Sequence, residues 1–244
     1  MLKSGGGDPK PPNWGDDRLS AFLEHAYKNR WATFVQKPKE FQLLGNIDQC
    51  FEDALKDWTN PTHPVAAHLY LRSHAAFRAA CEHAAAGQVA EVFPMVRIAL
   101  EYAGYALHIA KTPGLEDVWL RRHDNDAALG KAKAEFLVSK VRTTIASANR
   151  KAAQVFDLLY QQAIDMGAHP NERAVTGNMA IVDYEGGQEW RQVYLHGDGI
   201  QIDLALKVVA RAGVCILEIS QEAFPARFEL LGVRYKILEL RKGL

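Results

Sequence analysis

The chain carries one arginine and one glutamate within an otherwise uncharged apolar segment. Arg97 and Glu101 are the only charged residues in the range 92–107, and a spacing of four residues places both side chains on one face of a helix. Removing one partner of a buried ion pair costs about 3–5 kcal/mol, whereas replacing both partners by apolar residues is often neutral. The pair therefore suggests a function in which Arg97 binds a phosphate or carboxylate and Glu101 orients it. A structural pair that fixes the helix register is the alternative.

A loop histidine is the second candidate for chemistry. His169 follows a long predicted helix and is flanked by Gly167, Pro170 and Asn171. An imidazole titrates near neutral pH and can serve as a general acid or base, and the amide of Asn171 can donate or accept a hydrogen bond beside it. Loop histidines are more often simply exposed to solvent, which is the structural alternative.

A third candidate is the sequence His-Gly-Asp-Gly at 196–199, which precedes an apolar helix. Because a helix N-terminus attracts anions, His196 is a candidate ligand-binding residue. The alternative is that Asp198 caps the helix while the glycines form a tight turn, which explains the sequence without a ligand.

Several common catalytic and cofactor-binding motifs are missing from the sequence. It contains no phosphate-binding Gly-x-x-x-x-Gly-Lys-Ser/Thr loop, no Gly-x-Ser-x-Gly and no His-Glu-x-x-His. No glutamate has a histidine three residues later, which argues against a di-iron bundle. The three cysteines Cys50, Cys81 and Cys215 are too far apart for a disulfide framework or a Cys-x-x-Cys zinc site. We therefore expect neither a metal nor a cofactor.

The composition limits the classes of partner. The 244 residues include 29 basic and 29 acidic side chains, and 48% of the residues are hydrophobic. This balance excludes a disordered chain and a basic nucleic-acid coat, so any contact with nucleic acid has to be local. We find no secretory signal and no apolar stretch of membrane-spanning length, and we expect a cytoplasmic protein.

The elements that would position these candidates are mostly helices. Apolar residues recur with helical spacing along most of the chain, and only residues 179–195 indicate strands, as a hairpin around a glycine turn. Residues 1–15 are rich in glycine and proline and predict a flexible lead-in. The sequence therefore predicts a single domain over 16–244 of the all-α class, a multi-helix bundle of about six to eight helices with a small β-hairpin insertion.

A set of short motifs resembles a known family. The motifs are the Arg-x-x-x-Glu of Arg97 and Glu101, then Trp119 with nearby basic residues, and then Tyr160 in a helix that leads to His169. Over residues 65–175 they resemble an uncharacterised group of all-helical bacterial proteins near the HEPN superfamily. The resemblance implies a helical bundle, commonly a homodimer, that binds RNA in a defence or toxin–antitoxin system.

The resemblance also implies roles for particular residues. HEPN ribonucleases work without metal. The resemblance implies that Arg97, Glu101 and His169 are catalytic and that Asn171 assists them as a polar residue. These enzymes use an arginine and a histidine four to six residues apart, whereas no arginine precedes His169 at that spacing. The alternative is a non-enzymatic helical protein-interaction module in which Arg97 and Glu101 form a structural pair. In either case we expect a dimer through an apolar helix face.

Overall fold

The computed structural model describes residues 10–244, so residues 1–9 of the predicted lead-in lie outside the described residues. The described part is mainly helical and contains one two-stranded antiparallel sheet. This architecture confirms the all-α class with a small β-hairpin.

Six helices make up the first half of the described chain. They are α1 (Arg18–Gln36), α2 (Pro38–Leu55), α3 (Pro64–Ala86), α4 (Val89–Lys111), α5 (Leu115–Leu120) and α6 (Asp126–Glu135). The second half contains six more helices, a π-helical turn and the hairpin. They are α7 (Val138–Ala148), α8 (Arg150–Ala163), the π-turn (Ile164–Ala168), α9 (Glu172–Thr176), β1 (Met179–Tyr184), β2 (Gly187–Gln192), α10 (Ile200–Ala223), α11 (Pro225–Leu230) and α12 (Val233–Arg241).

The number of helices corrects the sequence prediction, because the described residues form twelve α-helices instead of about six to eight. Three of the additional boundaries share a cause. Asn125, Asn149 and Asn171 each accept a hydrogen bond from the backbone N–H three residues later, at 2.9, 3.1 and 2.9 Å. An asparagine in this position caps a helix N-terminus, so each one starts a new helix.

The core is built around α4 and α10. Helix α4 packs against α3, α7, α8 and α10, and α10 is buried on most of its surface. Gly213 of α10 permits close packing, since a Cβ atom there would lie 2.6 Å from the Phe77 ring and 2.7 Å from Ile47. The central position of α4 means that Arg97 and Glu101 are held by a rigid element.

The β-hairpin lies at the surface of the bundle. Its two strands pair in antiparallel register, with Ile181 opposite Trp190, and both of these side chains are exposed. The backbone N–H of Val193 donates to the Asn178 carbonyl at 2.7 Å and so extends the hairpin ladder, whereas the N–H of His196 donates to the Gly87 carbonyl at 2.8 Å and ties the following segment to the end of α3. In the described part of the chain, no helix has both the length and the apolar character that crossing a membrane requires.

Candidate functional site

Arg97 and Glu101 meet on the surface of α4, as their spacing predicts. Arg97 Nε donates a hydrogen bond to Glu101 Oε1 at 3.0 Å, and the two side chains remain 26% and 28% exposed. The pair is therefore half-buried, with solvent at its outer edge. Burial is the largest single effect and opposes the charge on Arg97, but the interactions with Glu101 and Tyr160 together outweigh it and raise the pKa of the guanidinium.

Tyr160 of α8 completes this pair. Its hydroxyl donates a hydrogen bond to Glu101 Oε1 at 2.9 Å, and the guanidinium carbon of Arg97 lies 5.2 Å from the centre of the Tyr160 ring. Burial and the hydrogen bond to Glu101 raise the pKa of the Tyr160 hydroxyl. The tyrosine consequently stays protonated and keeps donating to the carboxylate. Arg97, Glu101 and Tyr160 are called the α4 cluster below.

A second arginine approaches the same ring. The guanidinium carbon of Arg142, on α7, lies 5.5 Å from the centre of the Tyr160 ring, and its Nε forms an ion pair with Asp157 at 2.7 Å. Each arginine at this ring therefore has its own carboxylate, Glu101 for Arg97 and Asp157 for Arg142. The cluster is balanced in charge, and an anion would have to compete with both carboxylates.

His169 lies outside this network. Its side chain is exposed, and within residues 10–244 no hydrogen bond joins its ring to the α4 cluster. The preceding Gly167 packs against the backbone of Ala90, near the start of α4. Arg97 is seven residues further along that helix, a rise of about 10 Å at 1.5 Å per residue. The structure therefore brings Arg97 and Glu101 together but does not hydrogen-bond His169 to them.

Asn171 has several local partners. Its Oδ1 accepts from the backbone N–H of Ala174 at 2.9 Å, and its Nδ2 donates to the carbonyls of Ile164 and His169 at 2.9 and 3.0 Å. These bonds close the loop between the π-turn and α9. The Asn171 side chain therefore holds the backbone of His169 in place. Its oxygen and nitrogen are both used in hydrogen bonds within the loop.

His196 packs into a junction between α1, α3 and the hairpin. Its Nε2 lies 3.0 Å from Asn178 Oδ1, which accepts the hydrogen bond, and burial lowers the pKa of the imidazole. Asp198, two residues later, forms an ion pair with Lys37 at 2.7 Å. The position beside His196 where the sequence suggests an anion is therefore next to the Asp198 carboxylate, which is already paired with Lys37.

Three side chains form a group whose oxygen and nitrogen atoms are of the kinds that bind metal ions. The sequence did not indicate this group. Oxygen and nitrogen atoms of Asp48, Glu52 and His74 lie within 4.8 Å of one another. Arg78 donates two hydrogen bonds of 2.8 Å to the Asp48 carboxylate. Burial lowers the pKa of His74, so its neutral ring lies beside a carboxylate that the arginine neutralises. This arrangement is explained as an ion-pair network between α2 and α3.

The surface of α1 is the second distinctive feature. Six large apolar side chains lie exposed along it, four residues apart for most of its length. They are Leu19, Leu23, Tyr27, Trp31, Phe34 and Val35, and are called the α1 face below. The periodicity of the sequence predicts this amphipathic helix, but most of its large apolar residues contact solvent.

The side of α1 that faces the protein is small and polar. Its buried residues are Ser20, Ala26 and Thr33. Thr33 donates a hydrogen bond to the Ala85 carbonyl at 2.8 Å, and Asn29 donates one to the carbonyl at the end of α3 at 3.0 Å. The usual arrangement of an amphipathic helix is therefore reversed here, because polar contacts fix its inner side and the apolar face points outward.

The fold and these two surfaces define a mainly α-helical protein with a charge-balanced cluster on its central helix and an exposed apolar helix face. Comparisons with family models, with curated proteins and with solved structures found no significant match.

Proposed function

We propose that the chain is a non-enzymatic helical interaction module that binds a second copy of itself through the α1 face. The observation that carries the proposal is the exposed apolar row on α1. Contiguous apolar patches of this kind mark interaction sites on soluble proteins. The satisfied hydrogen bonds of the α4 cluster support the structural interpretation of Arg97 and Glu101.

The size of the α1 face suits a dimer. Trp31 and Phe34 are 61% and 59% exposed, and large side chains bury about 150–250 Å² each when fully covered. On that scale the six side chains leave about 600 Å² of apolar surface for a partner. A standard interface buries about 800 Å² on each side. The α1 face therefore supplies most of the area that one copy contributes to such an interface.

A groove beside the α1 face enlarges this surface. It has a volume of about 580 Å³ and lies between α1, α2 and α3, with Trp31, Phe34, Phe41 and Leu44 on its walls. In a two-fold dimer the same patch serves both copies, so each groove can receive side chains from the α1 face of the other copy.

The chain offers a matched pair of tryptophans for the test. Trp31 on the α1 face is 61% exposed and Trp190 on the hairpin is 65% exposed. We expect the wild-type chain to sediment as a dimer of twice 27.2 kDa. Trp31→Glu should weaken the dimer at least tenfold, because a charge would enter an apolar interface. The measurement is analytical ultracentrifugation over a range of concentrations.

The hairpin variant is the control. Trp190→Glu should leave the dissociation constant within twofold of the wild-type value, because it removes an exposed tryptophan outside the α1 face. A wild-type chain that remains monomeric at about 100 μM, where a dimer with Kd near 1 μM would be almost fully assembled, would overturn the proposal. Equal effects of the two substitutions would overturn the choice of surface.

A second candidate function is an HEPN-like ribonuclease of the cytoplasm, which acts on RNA in a defence or toxin system. The observation that favours it is the approach of Arg97 and Arg142 to one tyrosine ring, since guanidinium groups bind phosphate well. His169 would then act as general acid or base after the π-turn moves towards the cluster.

RNA incubated with the protein in the presence of a chelator separates the two functions. An interaction module leaves total RNA intact, and His169→Ala behaves as the wild-type chain does. Cleavage by the wild-type chain that is lost in both His169→Ala and Arg97→Ala would replace the first proposal by the second. Arg234→Ala is the control, because Arg234 is an exposed arginine that pairs with Glu229 near the C-terminus, away from the α4 cluster and from every histidine in the sequence.

A further inference from the structure

A separate pocket beside the α4 cluster has aromatic walls. Tyr105 and Phe136 each pack edge to face on Trp119, with ring centres 5.6 and 4.9 Å apart, and their own rings are tilted to one another at 5.0 Å. The pocket has a volume of about 320 Å³ and lies where α4, α5 and α6 meet. This volume is at the lower end of the range for small-molecule sites, so a ligand of one or two rings fits best. It is called the Trp119 pocket below.

Two cations line the same pocket. They are Arg122, whose guanidinium carbon lies 5.0 Å from the centre of the Trp119 ring, and Lys133. Among residues 10–244, neither forms an ion pair. The Nε of Arg122 is also buried, and no hydrogen-bond partner for it exists in the described part of the chain. A buried polar atom normally has a partner, so this one marks a place where an acceptor is missing.

The nearby carboxylates do not supply that acceptor. Asp124 forms its ion pair with Arg121 at 2.8 Å, and Glu135 forms one with Lys140 at 3.0 Å. Glu101 is held by the α4 cluster. The two cations of the Trp119 pocket are therefore available to an anion from outside the chain.

We propose that the Trp119 pocket binds a small aromatic carboxylate. The guanidinium of Arg122 is a planar fork that suits the two oxygens of a carboxylate. Lys133 adds a second positive charge at the pocket, and a flat ring packs against the wall that the three aromatic side chains form. The site is independent of the α1 face and does not require the proposed dimer.

Calorimetric titration of the full chain with three probes tests the ligand class. Indole-3-acetate has both ring and charge, indole-3-acetamide has nearly the same shape without the charge, and acetate has the charge without the ring. We expect indole-3-acetate to bind at least tenfold more tightly than either of the other two. Equal binding of the acid and the amide, or no binding of the acid at millimolar concentration, would overturn the proposal.

Two neighbouring arginines provide the test of the site. Arg122→Gln should weaken indole-3-acetate binding at least tenfold, because it removes a charge-assisted hydrogen bond. Arg121→Gln should leave it within twofold, since Arg121 pairs with Asp124 outside the pocket. Lys133→Gln provides a second test of the pocket, at an exposed side chain whose substitution is expected to change stability little. Equal affinities in wild type, Arg122→Gln and Lys133→Gln would place any binding elsewhere and overturn the assignment.

Discussion

Gly87→Ala should destabilise the protein by about 3–6 kcal/mol. Gly87 follows α3 with φ of +77°, and a residue with a side chain loses about 1–2 kcal/mol in this left-handed conformation. A Cβ atom there would also lie 2.1 Å from the carbonyl oxygen of His196. That atom belongs to the backbone, so the segment after the hairpin has to move. Such overpacking costs a further 1–3 kcal/mol, and the hydrogen bond from His196 N–H to Gly87 adds about 1 kcal/mol.

Gly114→Ala separates the cost of the left-handed backbone conformation from the cost of the contact with His196. Gly114 has nearly the same φ, +78°, but apart from its immediate neighbours no atom of residues 10–244 lies within 4 Å of the position that a Cβ would take. Its substitution should cost only the conformational part, about 1–2 kcal/mol. Urea unfolding followed by circular dichroism measures both values. Equal losses for the two variants would show that the approach of His196 to Gly87 contributes nothing to stability.

The end of α3 at Gly87 follows from the sequence, whereas the contact with His196 does not. A glycine after an apolar helical run predicts a C-terminal cap, and the structure places that cap as expected. The partner is far away in the chain, and only the tertiary fold brings the two backbones together. The same limit applies to His196 itself, which the sequence suggests as a ligand residue and the structure places against Asn178.

The helix boundaries show a different limit. Asn149 lies within residues 131–166, a stretch without proline or glycine, and its cap separates α7 from α8. Asn125 acts in the same way at the start of α6, which it separates from α5. An asparagine is compatible with loops, turns and caps alike, so its type alone does not mark a boundary. The hydrogen bond that starts the helix is visible only in the folded chain.

The α1 face shows what periodicity cannot decide. The spacing of Leu23, Tyr27 and Trp31 predicts a helix with one apolar side, and that helix forms. Periodicity does not say whether the apolar side meets the core or a partner. Here Ala26 and Thr33 fit closely against the end of α3 and direct the larger side chains outward. Small inner residues opposite a large apolar row are a pattern that could have indicated an interface from the sequence.

The sequence predicts one part of the α4 cluster but not the other. A pair at i and i+4 predicts the contact between Arg97 and Glu101, because helix geometry alone brings them together. The third member, Tyr160, comes from α8 and depends on how α8 packs against α4. The exposed position of His169 depends on the π-turn, whose Gly167 has φ of +151°. The sequence therefore predicts the local pair, while the network around it is a tertiary property.

Glu101→Ala should destabilise the protein by about 2–3 kcal/mol. The substitution leaves Arg97 and the hydroxyl of Tyr160 without their shared acceptor. Breaking a fully buried pair costs about 3–5 kcal/mol, and partial exposure of this pair reduces the loss through solvent screening. Tyr160→Phe removes only one hydrogen bond and should cost about 1 kcal/mol. Thermal unfolding checks the ranking, with about 2–4 °C expected per kcal/mol for a chain of this size.

The double variant Arg97→Met with Glu101→Leu distinguishes a structural from a catalytic role of the ion pair. If the pair is structural, two apolar residues of similar volume leave no uncompensated charge, and the double variant should be more stable than Glu101→Ala alone. It should also keep the wild-type dimer and leave RNA intact. A double variant that is less stable than Glu101→Ala would contradict this account, because the charges would then stabilise the fold beyond their mutual compensation. A stable double variant that loses a ribonuclease activity would instead assign the same two side chains to catalysis.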